Sequence, residues 1–270
     1  MLKKLFKNVF CCIICSVLVS GIICFIFLKG SNKAEITGDT GYSVKLNGNA
    51  GKADNEKVKY SSDENKNTGA DKKCLGIYNK NQKYLILANR DNPLPKDYSL
   101  SLRYICNGRL QASEYLYDSL VKMLADAKTE GYSYWIASAY RSYEKQQSLV
   151  DEDVNICMGR GMVYEAALEE VYKETMPAGC SEHQTGLALD ILCSGNTNMD
   201  VSQMEEPGNK WLRDNCYKYG FILRYPEDKS NITGVNFEPW HFRYVGKEAA
   251  KYIMKNKLTL EEFYKKLGNI

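Results

Sequence analysis

The 270-residue chain contains two histidines, and each stands in a short run of residues able to bind a divalent metal ion. The first run is Ser181-Glu182-His183-Gln184-Thr185-Gly186-Leu187-Ala188-Leu189-Asp190, and the second is Phe237-Glu238-Pro239-Trp240-His241. A hydrolytic zinc site takes about three protein ligands of imidazole and carboxylate type and keeps a fourth position open for water. It also needs a carboxylate, not itself a ligand, to accept the water's proton. His183, Asp190 and His241 match the ligand set, and Glu238 matches the base.

Each residue has a plainer explanation. Asp190 lies in the apolar run Leu187-Ala188-Leu189-Asp190-Ile191-Leu192, where a strand would place it on the face of Ala188 and Leu192, poorly solvated. An arginine partner or a turn cap would satisfy it as well as a cation, but a histidine in the same run favours the metal. Glu238 and His241 would point to opposite faces of a regular strand, so they share a site only if Pro239 makes the backbone irregular. Taken alone, His241 reads as a core histidine beside Trp240. Cys180 has C-x-x-H spacing to His183, and a thiolate ligand there competes with the carboxylate set. Other catalytic patterns are weak or missing. S-x-x-K occurs twice, at Ser119 and Ser142, with no K-T-G after it, and G-x-S-x-G, H-E-x-x-H and a Walker loop are absent.

The elements that must position these residues can be read coarsely. Residues 84–88 look like a short strand before an Asn92-Pro93-Leu94-Pro95 turn. Between Ser113 as N-cap and Gly131 as C′, Leu116, Leu120, Met123, Leu124 and Ala127 recur at helical spacing. Residues 132–138 read as a buried strand. Helices are expected over 142–155, 162–176, 209–219, 246–256 and 258–267, and strands over 187–192 and 235–245. Strands and helices mix without regular alternation, which predicts a single α+β domain with a small antiparallel sheet carrying the metal site and helices flanking it.

Composition places this domain. A 44% hydrophobic content supports a packed core, and 36 basic residues well mixed with 33 acidic ones leave no basic stripe, which argues against nucleic acid as a partner. Lys3, Lys4 and Lys7 precede an uncharged run over residues 8–28, long enough to cross a hydrocarbon layer of ~30 Å. Positive charge before the run predicts a cytoplasmic N-terminus and an exported remainder. Residues 1–30 therefore read as a cytoplasmic tip and single-pass signal anchor in the cell membrane, with a cleaved signal peptide as the competing reading. Residues 31–73, polar and without period, read as a disordered linker, and 74–270 as the catalytic domain. Six cysteines lie beyond the anchor, an even number that permits disulfides without specifying a pattern, and no C-x-x-C pair suggests a structural zinc ribbon.

Four ordered motifs resemble the VanY type of bacterial zinc D,D-carboxypeptidases. The S-x-H-x-x-G-x-A-x-D element is complete in Ser181, His183, Gly186, Ala188 and Asp190, and E-x-W-H in Glu238, Trp240 and His241. Ser138-Ala139-Tyr140-Arg141-Ser142-Tyr143-Glu144-Lys145-Gln146-Gln147 is similar to the family's Y-R-S-x-x-x-Q element, and the run from Gly220 to Pro226 has its flavour. The resemblance implies a zinc metallocarboxypeptidase, a hydrolase that removes the terminal D-alanine from peptidoglycan stem peptides ending in D-Ala-D-Ala. That would strip the target of glycopeptide antibiotics such as vancomycin. It implies His183, Asp190 and His241 as zinc ligands and Glu238 as general base. Arg141 would steady the carbonyl oxygen, and Gln146 and Ser181 would help grip the substrate's terminal carboxylate. Two alternatives stay open: an L,D-carboxypeptidase acting on tetrapeptide stems, and a non-catalytic zinc-bearing wall-binding module.

Overall fold

Leu189, Ile191, Phe242 and Tyr244 alternate with Ala188, Asp190, His241 and Arg243 along two strands, and this two-residue period separates a core face from a functional face. The computed structural model describes residues 71–98 and 100–268. In chain order they form α1 (Lys72–Asn81), β1 (Leu102–Ile105), β2 (Leu110–Ser113), α2 (Tyr117–Thr129), β3 (Tyr134–Ser138), α3 (Tyr143–Gly159), α4 (Tyr164–Val171), β4 (Ala188–Cys193), α5 (Pro207–Asn215), β5 (Phe221–Leu223), the single turn α6 (Ser230–Thr233), β6 (His241–Tyr244), α7 (Lys247–Lys255) and α8 (Leu260–Lys266). β3, β4, β6 and β5 pair antiparallel in that order, and β1 and β2 form a separate hairpin. This is the expected α+β class.

One face of the larger sheet buries Leu189, Ile191, Phe242 and Tyr244 against Leu120, Met123 and Ala127 of α2 and Trp211 and Leu212 of α5. A second cluster joins the two ends of the described chain: Cys74 and Ile77 of α1 meet Ala249, Ala250 and Ile253 of α7 and Leu260 and Phe263 of α8. Local signals explain the helix ends. Ser142 accepts from the Lys145 amide at the start of α3, and Thr259 and Glu262 form a reciprocal capping box on α8.

Several expectations need correction. Residues 84–88 leave the turn after α1 and are largely buried, but they join no sheet. The Tyr84 and Ile86 carbonyls accept from Arg243 Nη2, and the Leu85 carbonyl accepts from the Tyr264 hydroxyl, so side chains replace a strand partner. β3 is an edge strand that leaves Trp135 exposed, its ring covered by the Arg109 guanidinium at 3.8 Å. The strand expected over 235–245 is ordered as β6 only from His241. The helix expected over 162–176 contracts to α4, and that over 209–219 starts earlier, at Pro207, and ends in a 3-10 turn at Cys216–Tyr219.

Residues 71–73, assigned above to the linker, are ordered, since Asp71 caps α1 by accepting from the Lys73 and Cys74 amides; the rest of the expected linker lies outside the described residues. Among the described residues, Cys74, Cys106, Cys157, Cys180, Cys193 and Cys216 are free thiols, with none of the disulfides that their even number permitted among them. The expected membrane anchor lies outside the described residues, among which no helix is long and apolar enough to cross a membrane.

Candidate metal centre

Strand register brings the second half of one motif to the end of the other. Asp190 of β4 stands opposite His241 of β6 on one side and Ser138 of β3 on the other, across a bulge between Ile136 and Ser138. Directly opposed residues in an antiparallel pair hold their side chains about 5 Å apart. His241 Nδ1 accordingly lies 3.3 Å from Asp190 Oδ1. His183 reaches the same place from a 3-10 turn, Glu182–Thr185, that Gly186 ends in the left-handed region at φ +64. Gly186 is required there, since a Cβ would stand 2.6 Å from Leu100 Cδ1 and 3.0 Å from the Ser113 amide nitrogen.

Glu238 depends on the irregularity at Pro239. The His241 amide donates to the Glu238 carbonyl at 3.2 Å, closing a turn with proline at its second position. Three further bonds hold this turn: Glu238 N to Tyr225 O, Ile191 N to Trp240 O and Asn209 Nδ2 to Pro239 O. The turn carries the Glu238 carboxylate to the functional face, where Oε2 is 3.3 Å from His241 Nδ1.

The donor set fits a cation. His183 Nδ1 lies 2.6 Å from the Ala139 carbonyl, which must accept, so the hydrogen belongs on Nδ1 and Nε2 offers a bare lone pair. Burial and the Arg141 charge lower His183 to about 4, so its ring is neutral near pH 7. Its Nε2 faces Asp190 Oδ2 at 3.2 Å. Two acceptors at that separation repel unless something positive lies between them. His183 Nε2 and Asp190 Oδ1 are both buried without a hydrogen-bond partner. One ligand atom from each of His183, Asp190 and His241 lies within 4.8 Å of the others.

The carboxylates divide by environment. Burial alone would raise Asp190, but the charged His241 ring beside it in the metal-free protein holds it below the usual carboxylate range. Burial dominates at Glu238 and pushes it upward, the direction that suits a group alternating between base and acid.

Arg141 sits at the rim, with Nη2 3.9 Å from Asp190 Oδ2 and its amide donating to the His183 carbonyl. Gln146, fully buried, stands behind it, with Oε1 accepting from Arg141 Nη1 at 3.0 Å and Nε2 donating to the Met176 carbonyl. Ser181 is buried beside the His183 turn and makes no side-chain capping bond. Thus all seven residues expected at the site belong to one neighbourhood. Cys180 instead packs with Met176, Tyr225 and Val235 in a small apolar cluster.

Two contributors went unrecognised in the sequence. Tyr225 lays its ring 4.7 Å from that of His241, and Glu182, fully buried, pairs with Arg224 and Arg243 beneath the site. Glu182 occupies an unspecified position of its motif, and only the fold reveals its arginine partners.

The family model for D-alanyl-D-alanine carboxypeptidase, VanY, matches residues 109–247. A D-alanyl-D-alanine carboxypeptidase of Enterococcus faecalis is 43% identical over 187 residues, covering 66% of this chain, and the chain spans 65% of that relative's length. Among solved structures, a variant of the vancomycin-resistance D,D-pentapeptidase VanY, in complex with Zn(II), aligns with TM-score 0.61 and 39% identity, over 67% of this chain and 99% of that one. The LdcB LD-carboxypeptidase aligns with TM-score 0.58 and 38% identity, over 70% of this chain and 89% of the other.

Proposed function

The chain belongs to the VanY family of D-alanyl-D-alanine carboxypeptidases, and we propose on that basis that it is a zinc-dependent D,D-carboxypeptidase. Its substrate is a peptidoglycan stem peptide ending in D-Ala-D-Ala. The observation that carries this reading is the bare His183 Nε2 facing Asp190 Oδ2 at 3.2 Å, both residues buried, with His183 Nε2 and the other Asp190 oxygen, Oδ1, lacking any hydrogen-bond partner. His183, Asp190 and His241 would hold the ion, which when bound supplies a Lewis acid beside the scissile carbonyl and makes water more acidic.

The remaining work falls to the chain. Glu238 takes the proton of the attacking water and returns it to the departing amine. Its turn holds it beside the ligands without making it one, and its burial favours the protonated form needed for the second transfer. Arg141 donates to the carbonyl oxygen as negative charge develops, and its Gln146 bond fixes the guanidinium before substrate arrives. Ser181, with a hydroxyl not spent on capping, helps grip the terminal carboxylate together with the Arg141–Gln146 pair.

An L,D-carboxypeptidase is the second reading, favoured by the likeness to LdcB. D-alanine release from a pentapeptide ending in D-Ala-D-Ala, compared with release from the matching tetrapeptide, separates the two. Faster release from the pentapeptide is expected, and the reverse order overturns D,D specificity. A wall-binding module without catalysis has no use for Glu238 and predicts no product from either peptide.

We place the domain on the outer side of the cell membrane, tethered by residues 8–28 as a single-pass anchor. The support is the lysine-flanked apolar run and a substrate found in the wall. The full chain should sediment with membranes and lose its domain to protease added outside intact spheroplasts; recovery in the soluble cytoplasmic fraction contradicts this placement.

A further inference from the structure

Glu182 lies directly beneath the metal centre and belongs to a buried charge cluster that the hydrolytic chemistry does not use. Its Oε1 faces both arginines, with Arg224 Nε donating at 2.7 Å and Arg243 Nη1 ion-paired at 2.7 Å. Its Oε2 has no hydrogen-bond partner and stands 3.8 Å from His241 Nε2, which has none either. A carboxylate only accepts and an imidazole N–H donates, so these two buried atoms are complementary, and a small ring movement brings them into bonding range. The opposite ring atom, Nδ1, is 3.3 Å from both Asp190 Oδ1 and Glu238 Oε2.

We propose that Glu182 is a positioning residue for His241: it takes the hydrogen on Nε2 and thereby commits Nδ1 to the metal. This role rests on the zinc reading given above. A carboxylate behind a ligating histidine fixes its tautomer and orientation and raises its basicity.

The cluster explains why Glu182 can hold its place. Arg224 also donates from Nη1 and Nη2 to the two oxygens of Glu261 on α8, at 2.9 and 2.5 Å, while Arg243 is anchored on the Tyr84 and Ile86 carbonyls. Two guanidiniums and two carboxylates balance in charge. Glu182 spends one oxygen on that balance and has the other left for His241.

The test compares Glu182→Gln with Glu261→Gln in the full-length chain. Each removes one negative charge from the same cluster, Glu182 fully buried beside His241 and Glu261 partly exposed on α8. In Glu182→Gln the amide NH2 must face either His241 Nε2–H or the arginines, and both are donors. Zinc affinity, measured by competition with a chromophoric chelator, should fall about 10- to 100-fold in Glu182→Gln and change less than about twofold in Glu261→Gln.

The second readout is the 15N spectrum of the histidine-labelled, zinc-loaded parent, simple because only two rings exist. Expected is a slowly exchanging proton on His241 Nε2 with zinc on Nδ1. Zinc on Nε2 overturns the proposal even if Glu182→Gln fails to fold. Parent-like affinity in Glu182→Gln, or an equal loss in Glu261→Gln, overturns it while leaving the zinc reading intact. Absence of zinc binding by the parent overturns the zinc reading and this role with it.

Discussion

Replacing Glu238 by glutamine separates chemistry from construction. The side chain keeps its length and its place on the Pro239 turn, whose four backbone and side-chain bonds involve main-chain atoms of residues 238–241 and are untouched by the change. What is lost is the ability to accept a proton. Positioned acid–base groups contribute roughly 10²- to 10⁴-fold to rate. At 1.36 kcal/mol per decade, the barrier should rise by about 3 to 5 kcal/mol.

Stability should move the other way. Burial raises Glu238 above its ordinary value, so folding favours its protonated form, and the favourable contribution present below about pH 4.5 is lost as pH rises through the folded value. Glutamine stays neutral, so the metal-free variant should melt no lower than the parent at pH 7. Zinc stoichiometry should be unchanged, because Glu238 lies outside the three-residue ligand set. Steady-state D-alanine release, metal analysis and calorimetry on one preparation check all three points. Turnover within tenfold of the parent, or loss of zinc from a folded variant, refutes the assignment of Glu238 as base.

Arg141→Ala should lower kcat by about 10²- to 10³-fold with a smaller change in KM, as for a lost oxyanion donor; an effect confined to KM would move Arg141 from the oxyanion to substrate binding, a split that pentapeptide kinetics resolves. The metal-free domain should lose stability as pH falls from about 6.5 to 4, because His183 is lowered to about 4 and the unfolded chain takes up its proton first. It should also lose stability as pH rises above about 6.5: burial opposes charging of His241, but Asp190, Glu182 and Glu238 raise it well above its ordinary value, and that stabilisation disappears as the ring deprotonates. Saturating zinc should remove the alkaline decline, and melting curves from pH 4 to 9 with and without metal compare the two forms. Gly186→Ala should destabilise the fold by about 2 to 4 kcal/mol, combining the left-handed backbone with a Cβ forced onto Leu100 and the Ser113 amide; a denaturation midpoint equal to the parent's would contradict the fit of that turn.

Much of the site was legible before folding was considered, because rare residue types were concentrated. Two histidines in two acidic runs leave few ways to build a metal centre, and Pro239 signalled the irregularity that Glu238 needed. Strand register was not legible: nothing local says that Asp190 pairs with His241, yet that pairing makes the centre. Glu182 stayed hidden for the same reason, since its partners Arg224 and Arg243 come from β6 and the residue after β5. Residues 84–88 misled because an apolar run reads as a strand whether its carbonyls meet a neighbouring strand or, as here, an arginine and a tyrosine.

Titration of zinc into the metal-free full-length chain, followed by D-alanine release from a pentapeptide ending in D-Ala-D-Ala, bears most directly on the functional assignment. Activity should start near zero, rise in proportion to added metal and break at one equivalent per chain. Full release by the metal-free protein, or none at any zinc level, would contradict it.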